Sequence, residues 1–232
     1  FILPEHRTRQ MPIACVIGTR EGYIILPSDA RTEPPGAGTA VYISRDNGQT
    51  WADAGGTAYG IHGGVVQLND GRLMVLGRGH NIEGRMPMSL SHDMGKTWTY
   101  RASPFDPISG GQRLALLRLR EGPIFFASFA KEMRLPDGAG GEHAVSGLFA
   151  ALSFDEGETW PVRRLITDSD TPHEAETTDG QPFTMSATSA EPRGYLTVIQ
   201  GANGLIHLIS SWNHYAFNLA WLMAGPRLSA EE

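Results

Sequence analysis

Arginine and histidine recur in the polar segments that separate the apolar runs of this 232-residue chain. Arg7 and Arg9 precede one run, Arg78, His80 and Arg85 follow another, Arg113 opens a third, and His214 and Tyr215 sit beside Trp212 near the last. Guanidinium groups brought together from separate segments can hold a carboxylate through bidentate, charge-assisted hydrogen bonds. Arg7, Arg78 and Arg113 are the leading candidates for that task, with Arg9 and Arg85 next to them. The plain alternative for each is a solvated position or an ion pair with Glu5, Glu83 or Glu132. His62, His80, His143 and His214 supply groups suited to moving a proton near neutral pH. Each is as readily a structural hydrogen-bonding residue.

The elements that must position these groups are announced by a repeated phrase. Ser-x-Asp-x-Gly-x-Thr-Trp occurs at Ser44–Trp51, Ser91–Trp98 and Ser153–Trp160, each copy after a short apolar run. Ser and Asp can accept nearby backbone N–H groups, Gly supplies a positive φ, and Trp gives the returning strand a packing surface. The phrase is therefore a hairpin turn. Its copies start 47 and 62 residues apart, and a four-stranded propeller blade takes roughly 40–50 residues. The longer interval is explained by the Gly-rich stretch Leu135 to Glu142, read as a loop insertion.

Around the second phrase, His62 to Leu68 and Arg72 to Leu76 read as strands joined by an Asn-Asp-Gly turn at Asn69 to Gly71. Met86 to Leu90 and Trp98 to Arg101 complete the unit. The same order recurs before and after it. A final unit lacks the phrase but keeps the rhythm over Phe183 to Ser189, Tyr195 to Gln200, Leu205 to Ser210 and Phe217 to Leu222. The reading is one all-β domain over 1–232, a β-propeller of four-stranded blades with four units at about 12–55, 60–102, 112–165 and 183–222.

A hydrophobic fraction of 41% with 28 Gly and 15 Pro suits such a domain, and helix is expected to be scarce. A net charge of −6 without any basic run argues against nucleic acid as a partner. No apolar run approaches the roughly 18 residues of a membrane span, and the first residues lack the build of a signal peptide. The one cysteine, Cys15, lies in an apolar stretch and reads as packing. The spacing of His, Asp and Glu offers no metal-binding pattern, so neither metal nor cofactor is expected.

The three phrases together resemble the Asp-box, or BNR, repeat of the sialidase superfamily, over roughly residues 12 to 222. The resemblance implies a propeller of six or seven blades, so the four units point to self-association or to further blades completing the ring. It implies a carbohydrate-active protein, secreted or periplasmic, whose partner is an acidic glycan. The boxes are structural in that family, so Ser44, Asp46, Gly48, Trp51, Ser91, Asp93, Gly95, Trp98, Ser153, Asp155, Gly157 and Trp160 are assigned to the fold. The substrate face lies at the opposite blade end, where each innermost strand is entered and the second strand joins the third. Family members pair a tyrosine with a glutamate and use an aspartate as acid/base. Tyr215 matches the tyrosine, Glu174 or Glu176 its partner, and Asp29 is the stand-in for the aspartate. Substrate contacts fall to Arg7, Arg78, Arg85, Arg113 and His214, and His62 and His80 join the catalytic candidates. A polysaccharide lyase acting on a uronate glycan, with histidine as base and arginine on the carboxylate, is the second reading. A non-catalytic glycan-binding propeller is the third.

Overall fold

The three boxes fold into one turn. A computed structural model describes residues 9–13, 15–30, 38–137, 141–177 and 179–224, with side chains from residue 12 onward. Ser44 Oγ accepts from the Gly48 N–H at 2.7 Å and donates to Asp46 Oδ1 at 2.8 Å, which also accepts from the Thr50 N–H at 2.8 Å. Trp51 Nε1 closes the turn on the Gly48 carbonyl at 3.0 Å. Ser91 with Asp93 and Ser153 with Asp155 repeat the pattern. The glycine is not alone in the left-handed region: Asn47, Met94 and Glu156, one residue earlier, have φ of 57°, 58° and 64°. Two successive positive-φ residues match the right-handed twist of the flanking strands.

These bonds favour ionised aspartate. Hydrogen bonds from the Thr50 and Thr97 hydroxyls and N–H groups hold Asp46 and Asp93 down to about 2. For Asp155, burial pushes upward but the bonds from Thr159 outweigh it and the carboxyl is lowered. A carboxyl lowered by folding contributes stability above its unfolded value of about 3.9, and that contribution is lost as pH falls toward about 2. Thermal melts from neutral pH down through that window should show a falling Tm, and Asp46→Asn should flatten the fall.

The chain forms two compact units, Phe1–Gly110 and Gly111–Glu232. In the first, one blade runs from Ile17–Gly18, with Arg9–Pro12, through Ile24–Ala30 and Gly38–Ser44 to Ala52–Asp53. The next is the antiparallel order Ile61–Gln67, Leu73–Arg78, Pro87–Ser91 and Thr99–Ala102. Ile25, Val41, Val65, Leu73 and Val75 bury their side chains between these sheets, and half-buried Trp98 packs on them. In the second unit, Ala115–Arg118, Ile124–Pro136, Glu142–Ser153 and Val162–Leu165 make a four-stranded blade. Phe126 meets Phe149 at 6.0 Å and Trp160 at 5.8 Å in its core. The insertion forms the end of its long central hairpin, with Leu135 opposite His143. Lys131, Glu132, Arg134, Glu142 and His143 thus lie on strands and not in a loop.

The last blade differs from the sequence reading. Its sheet is Thr197–Gln200, Ile206–Ile209 and His214–Phe217, and Leu219–Met223 is a helical turn capped by the Asn218 side chain. Phe183 to Ser189 is no innermost strand; Pro182–Met185 pairs in a separate hairpin with His173–Glu176. A second repeat marks the true frame. Val-Val-Gln-Leu-Asn-Asp-Gly at 65–71 aligns with Val-Ile-Gln-Gly-Ala-Asn-Gly at 198–204. Gln67 Nε2 donates to both carboxylate oxygens of Glu21, and Gln200 Nε2 does the same to Glu121. Each glutamine also accepts from a turn N–H, that of Arg20 or Arg120, at 2.9 and 2.8 Å. Within each unit, then, the end of one innermost strand is clasped by the Arg-Glu-Gly turn of the neighbouring blade. Cys15 lies half-buried just before Ile17–Gly18, outside any strand. Among the described residues, no helix is long and apolar enough to cross a membrane.

Candidate functional site

Among the described residues, two buried polar clusters stand apart from the boxes, one in each unit. The first is built on a bulge. Pairing between Ile61–Gln67 and Leu73–Arg78 shifts register between Ile61 and Gly64, and His62 there adopts φ 54°. A non-glycine residue held in that region is costly and marks a site that its surroundings over-determine. The His62 N–H donates to Asp29 Oδ1 at 2.7 Å, and Arg78 Nη2 lies 2.8 Å from His62 Nε2. Because guanidinium only donates, Nε2 is the acceptor in that contact. The approach of Nε2 to Asp29 Oδ2 at 3.4 Å is then a proximity, not a second hydrogen bond. All three residues are buried.

That burial changes what Arg78 does for the fold. The sequence reading made it a substrate contact or a solvated position. Removing a buried guanidinium instead strips a donor from His62 Nε2. Arg78→Ala should destabilise the first unit by about 1–3 kcal/mol, read as a lower midpoint in urea.

The second cluster joins Tyr215, Ser210 and Glu191. Glu191 is fully buried, Ser210 is 3% exposed and Tyr215 is 8% exposed. Tyr215 Oη donates to Glu191 Oε2 at 3.0 Å, and Ser210 Oγ donates to Oε1 at 2.7 Å. Backbone bonds deliver the glutamate: the Leu148 N–H donates to the Glu191 carbonyl and the Ala190 N–H to that of Ser146, at 2.8 and 2.9 Å. Gly147, at φ 99°, permits this docking, since a Cβ there would lie 2.2 Å from the Ala190 carbonyl. Burial, the charge of Glu191, the hydrogen bond to it and the charge of Asp168 together hold the Tyr215 hydroxyl above the ordinary tyrosine range. A phenol so placed is protonated at neutral pH and can attack only as its proton moves to a base.

Tyr215 lines a cleft of about 500 Å³ with Thr167, Asp168, His214, Phe217 and Trp221. A second cleft of about 480 Å³ shares Thr167, Asp168 and Trp221 and adds His143, Asp137 and Arg164. The Arg164 guanidinium lies 3.6 Å from the centre of the Trp221 ring. A smaller hollow of about 220 Å³ is lined by Arg193, Gly194, Tyr195 and Ser211.

The remaining candidates scatter. Arg7 lies outside the described residues, as does the side chain of Arg9. Arg85 is exposed in an ion pair with Asp106 at 2.7 Å. Arg113 donates to the Leu196 carbonyl and lies over the Tyr195 ring. The His80 ring leans on Tyr59 at 4.8 Å. His214 is exposed, its ring stacked on His207. Glu174 and Glu176 are exposed on the separate hairpin of His173–Glu176 and Pro182–Met185, where Glu174 accepts from Thr184. The carboxylate that meets Tyr215 is therefore Glu191, which the sequence reading missed. The shifted frame had made residues 190–194 a turn between strands. The Gln-to-Gly repeat places the segment before the innermost strand Thr197–Gln200, where the resemblance puts substrate-face residues.

Comparison with known proteins places the architecture. A family model described as "BNR repeat-like domain" matches residues 4–208. A sialidase from Micromonospora viridifaciens is 26% identical over 191 residues, covering 81% of this chain and 26% of that protein. Among solved structures, a Hadza microbial sialidase superposes with a TM-score of 0.58 at 18% identity, covering 89% of this chain and 37% of that one. A protein of unknown function from Dyadobacter fermentans gives 0.54 at 15% identity, covering 93% and 50%. The chain thus spans about a quarter of the curated relative and at most half of these structural ones.

Proposed function

We propose that this chain, which belongs to the BNR repeat-like domain family of sialidase-superfamily β-propellers, is a glycoside hydrolase acting on an acidic, sialic-acid-type glycan. Tyr215 is the nucleophile and Glu191 its base. The contact between their side chains at 3.0 Å, in a buried cluster beside an open cleft, is the observation that carries the reading. The tyrosine oxygen forms a bond to the anomeric carbon as its proton passes to Glu191, and the glycosidic bond breaks with the departing oxygen taking a proton from solvent. Water then cleaves the sugar–tyrosine bond and gives a proton back to solvent, while Glu191 returns its proton to the tyrosine oxygen. A neutral phenol suits an anionic substrate better than tyrosinate, since it brings no negative charge against the sugar carboxylate before attack.

The lyase reading needs a free imidazole nitrogen beside an arginine. Among the described residues, His62 meets one, and its Nε2 is turned to Arg78 as acceptor, which weighs against it. Incubation with a panel of sialosides and uronate polysaccharides tests the choice. Free sialic acid is the expected product. An unsaturated uronate would overturn hydrolysis in favour of elimination, and binding without product would favour a lectin-like role.

A further inference from the structure

We infer that Ser210 is a positioning residue for the base, an assignment that rests on reading Tyr215 and Glu191 as nucleophile and base. A glutamate carboxylate turns about a broad, two-fold terminal torsion, so burial alone does not fix which way its lone pairs point. Tyr215 engages only Oε2, and Ser210 engages Oε1 at 2.7 Å. Holding one oxygen fixes the plane of the other. Ser210 is itself fixed, since its N–H donates to the Asn213 carbonyl at 2.8 Å at the end of Ile206–Ile209.

The opposite wall is Gly194. A Cβ there would sit 1.9 Å from Ser210 Oγ and 3.0 Å from Glu191 Oε1, so only glycine leaves room for the contact. Gly194–Tyr195 is tied down by parallel pairing with Gln112–Arg113. A neutral hydroxyl also differs from the alternatives in kind. An arginine or lysine at this place would cancel the charge the base uses, whereas a serine orients the carboxylate without neutralising it.

Counting ionised tyrosines by alkaline difference absorbance reads this geometry without any substrate. Burial is the largest cause that holds Tyr215 above its ordinary range and Glu191 is the next, so Glu191→Gln should let one more tyrosine titrate at a given alkaline pH than in the unaltered protein. Ser210→Ala should do the same, because the released carboxylate turns away from the hydroxyl. Adding Tyr215→Phe to either variant should remove that extra tyrosine. On a 4-methylumbelliferyl sialoside, Ser210→Ala should lower kcat about 10- to 100-fold with KM nearly unchanged. If Glu191→Gln frees the tyrosine and Ser210→Ala does not, the positioning role is wrong and the pair stands. If neither does, the Tyr215–Glu191 reading fails and the inference with it. Should Ser210→Ala not fold, Ser210→Cys keeps the volume with a weaker donor and should shift both readouts in the same direction.

Discussion

Tyr215→Phe is expected to abolish sialoside hydrolysis while the protein stays folded. The substitution removes one oxygen, the atom proposed to bond to the sugar, and leaves the ring in its place. Glu191→Gln should be nearly as severe, since an amide cannot take the phenol proton; loss of a general base costs about 10²–10⁴-fold, and loss of the nucleophile at least as much. Glu191 keeps its bond from Ser210 in Tyr215→Phe, so the stability cost should be about 1–2 kcal/mol. Measured kcat with a sialoside, beside a thermal melt of the same sample, separates lost chemistry from lost folding. Activity retained within a few-fold would remove Tyr215 from the mechanism.

Trp160→Ala should produce the largest loss of stability. Trp160 is 3% exposed and meets the Phe126 ring at 5.8 Å inside the first blade of the second unit. Truncating a buried tryptophan leaves a cavity that costs about 3–5 kcal/mol. Trp98, in the same place of its own box, is half-buried and packs at the margin of the Ile25 cluster. Trp98→Ala should therefore cost clearly less. Denaturant midpoints of the two variants give the order, and equal costs would show that box position, not burial, decides.

The blades were legible because their signals are local. Each Ser-x-Asp-x-Gly-x-Thr-Trp phrase writes a complete turn into eight consecutive residues, and the hydrogen bonds that close the turn lie within that window. The last blade has no such phrase, and its strands were placed by apolar rhythm alone. That rhythm does not separate Leu219–Met223 as helix from strand over five residues. The clasp by Gln67 and Gln200 is legible in hindsight as a repeat, but its glutamates lie 46 and 79 residues from the glutamines.

The candidate sites show the same division. Asp29, His62 and Arg78 were each picked out by type and position, yet only folding shows that they meet, 33 and 16 residues apart in the chain. Tyr215 was found through the resemblance. Its partner was not, because Glu191 stands in Ala-Glu-Pro-Arg-Gly, where nothing distinguishes it from a solvated turn. What suits it to the proposed role is full burial against two hydroxyls, those of Ser210 and Tyr215, which folding brings from the end of Ile206–Ile209 and from His214–Phe217.

The proposed chemistry turns on one bond, from Tyr215 to the sugar. A difluorinated sialic acid, with one fluoride as leaving group and a second fluorine that slows release, traps such a bond long enough for peptide mass mapping. A sialyl adduct is expected on the peptide carrying Tyr215 and absent from Tyr215→Phe. A protein that releases sialic acid from sialosides yet shows no adduct there, or carries it on another residue, would contradict it.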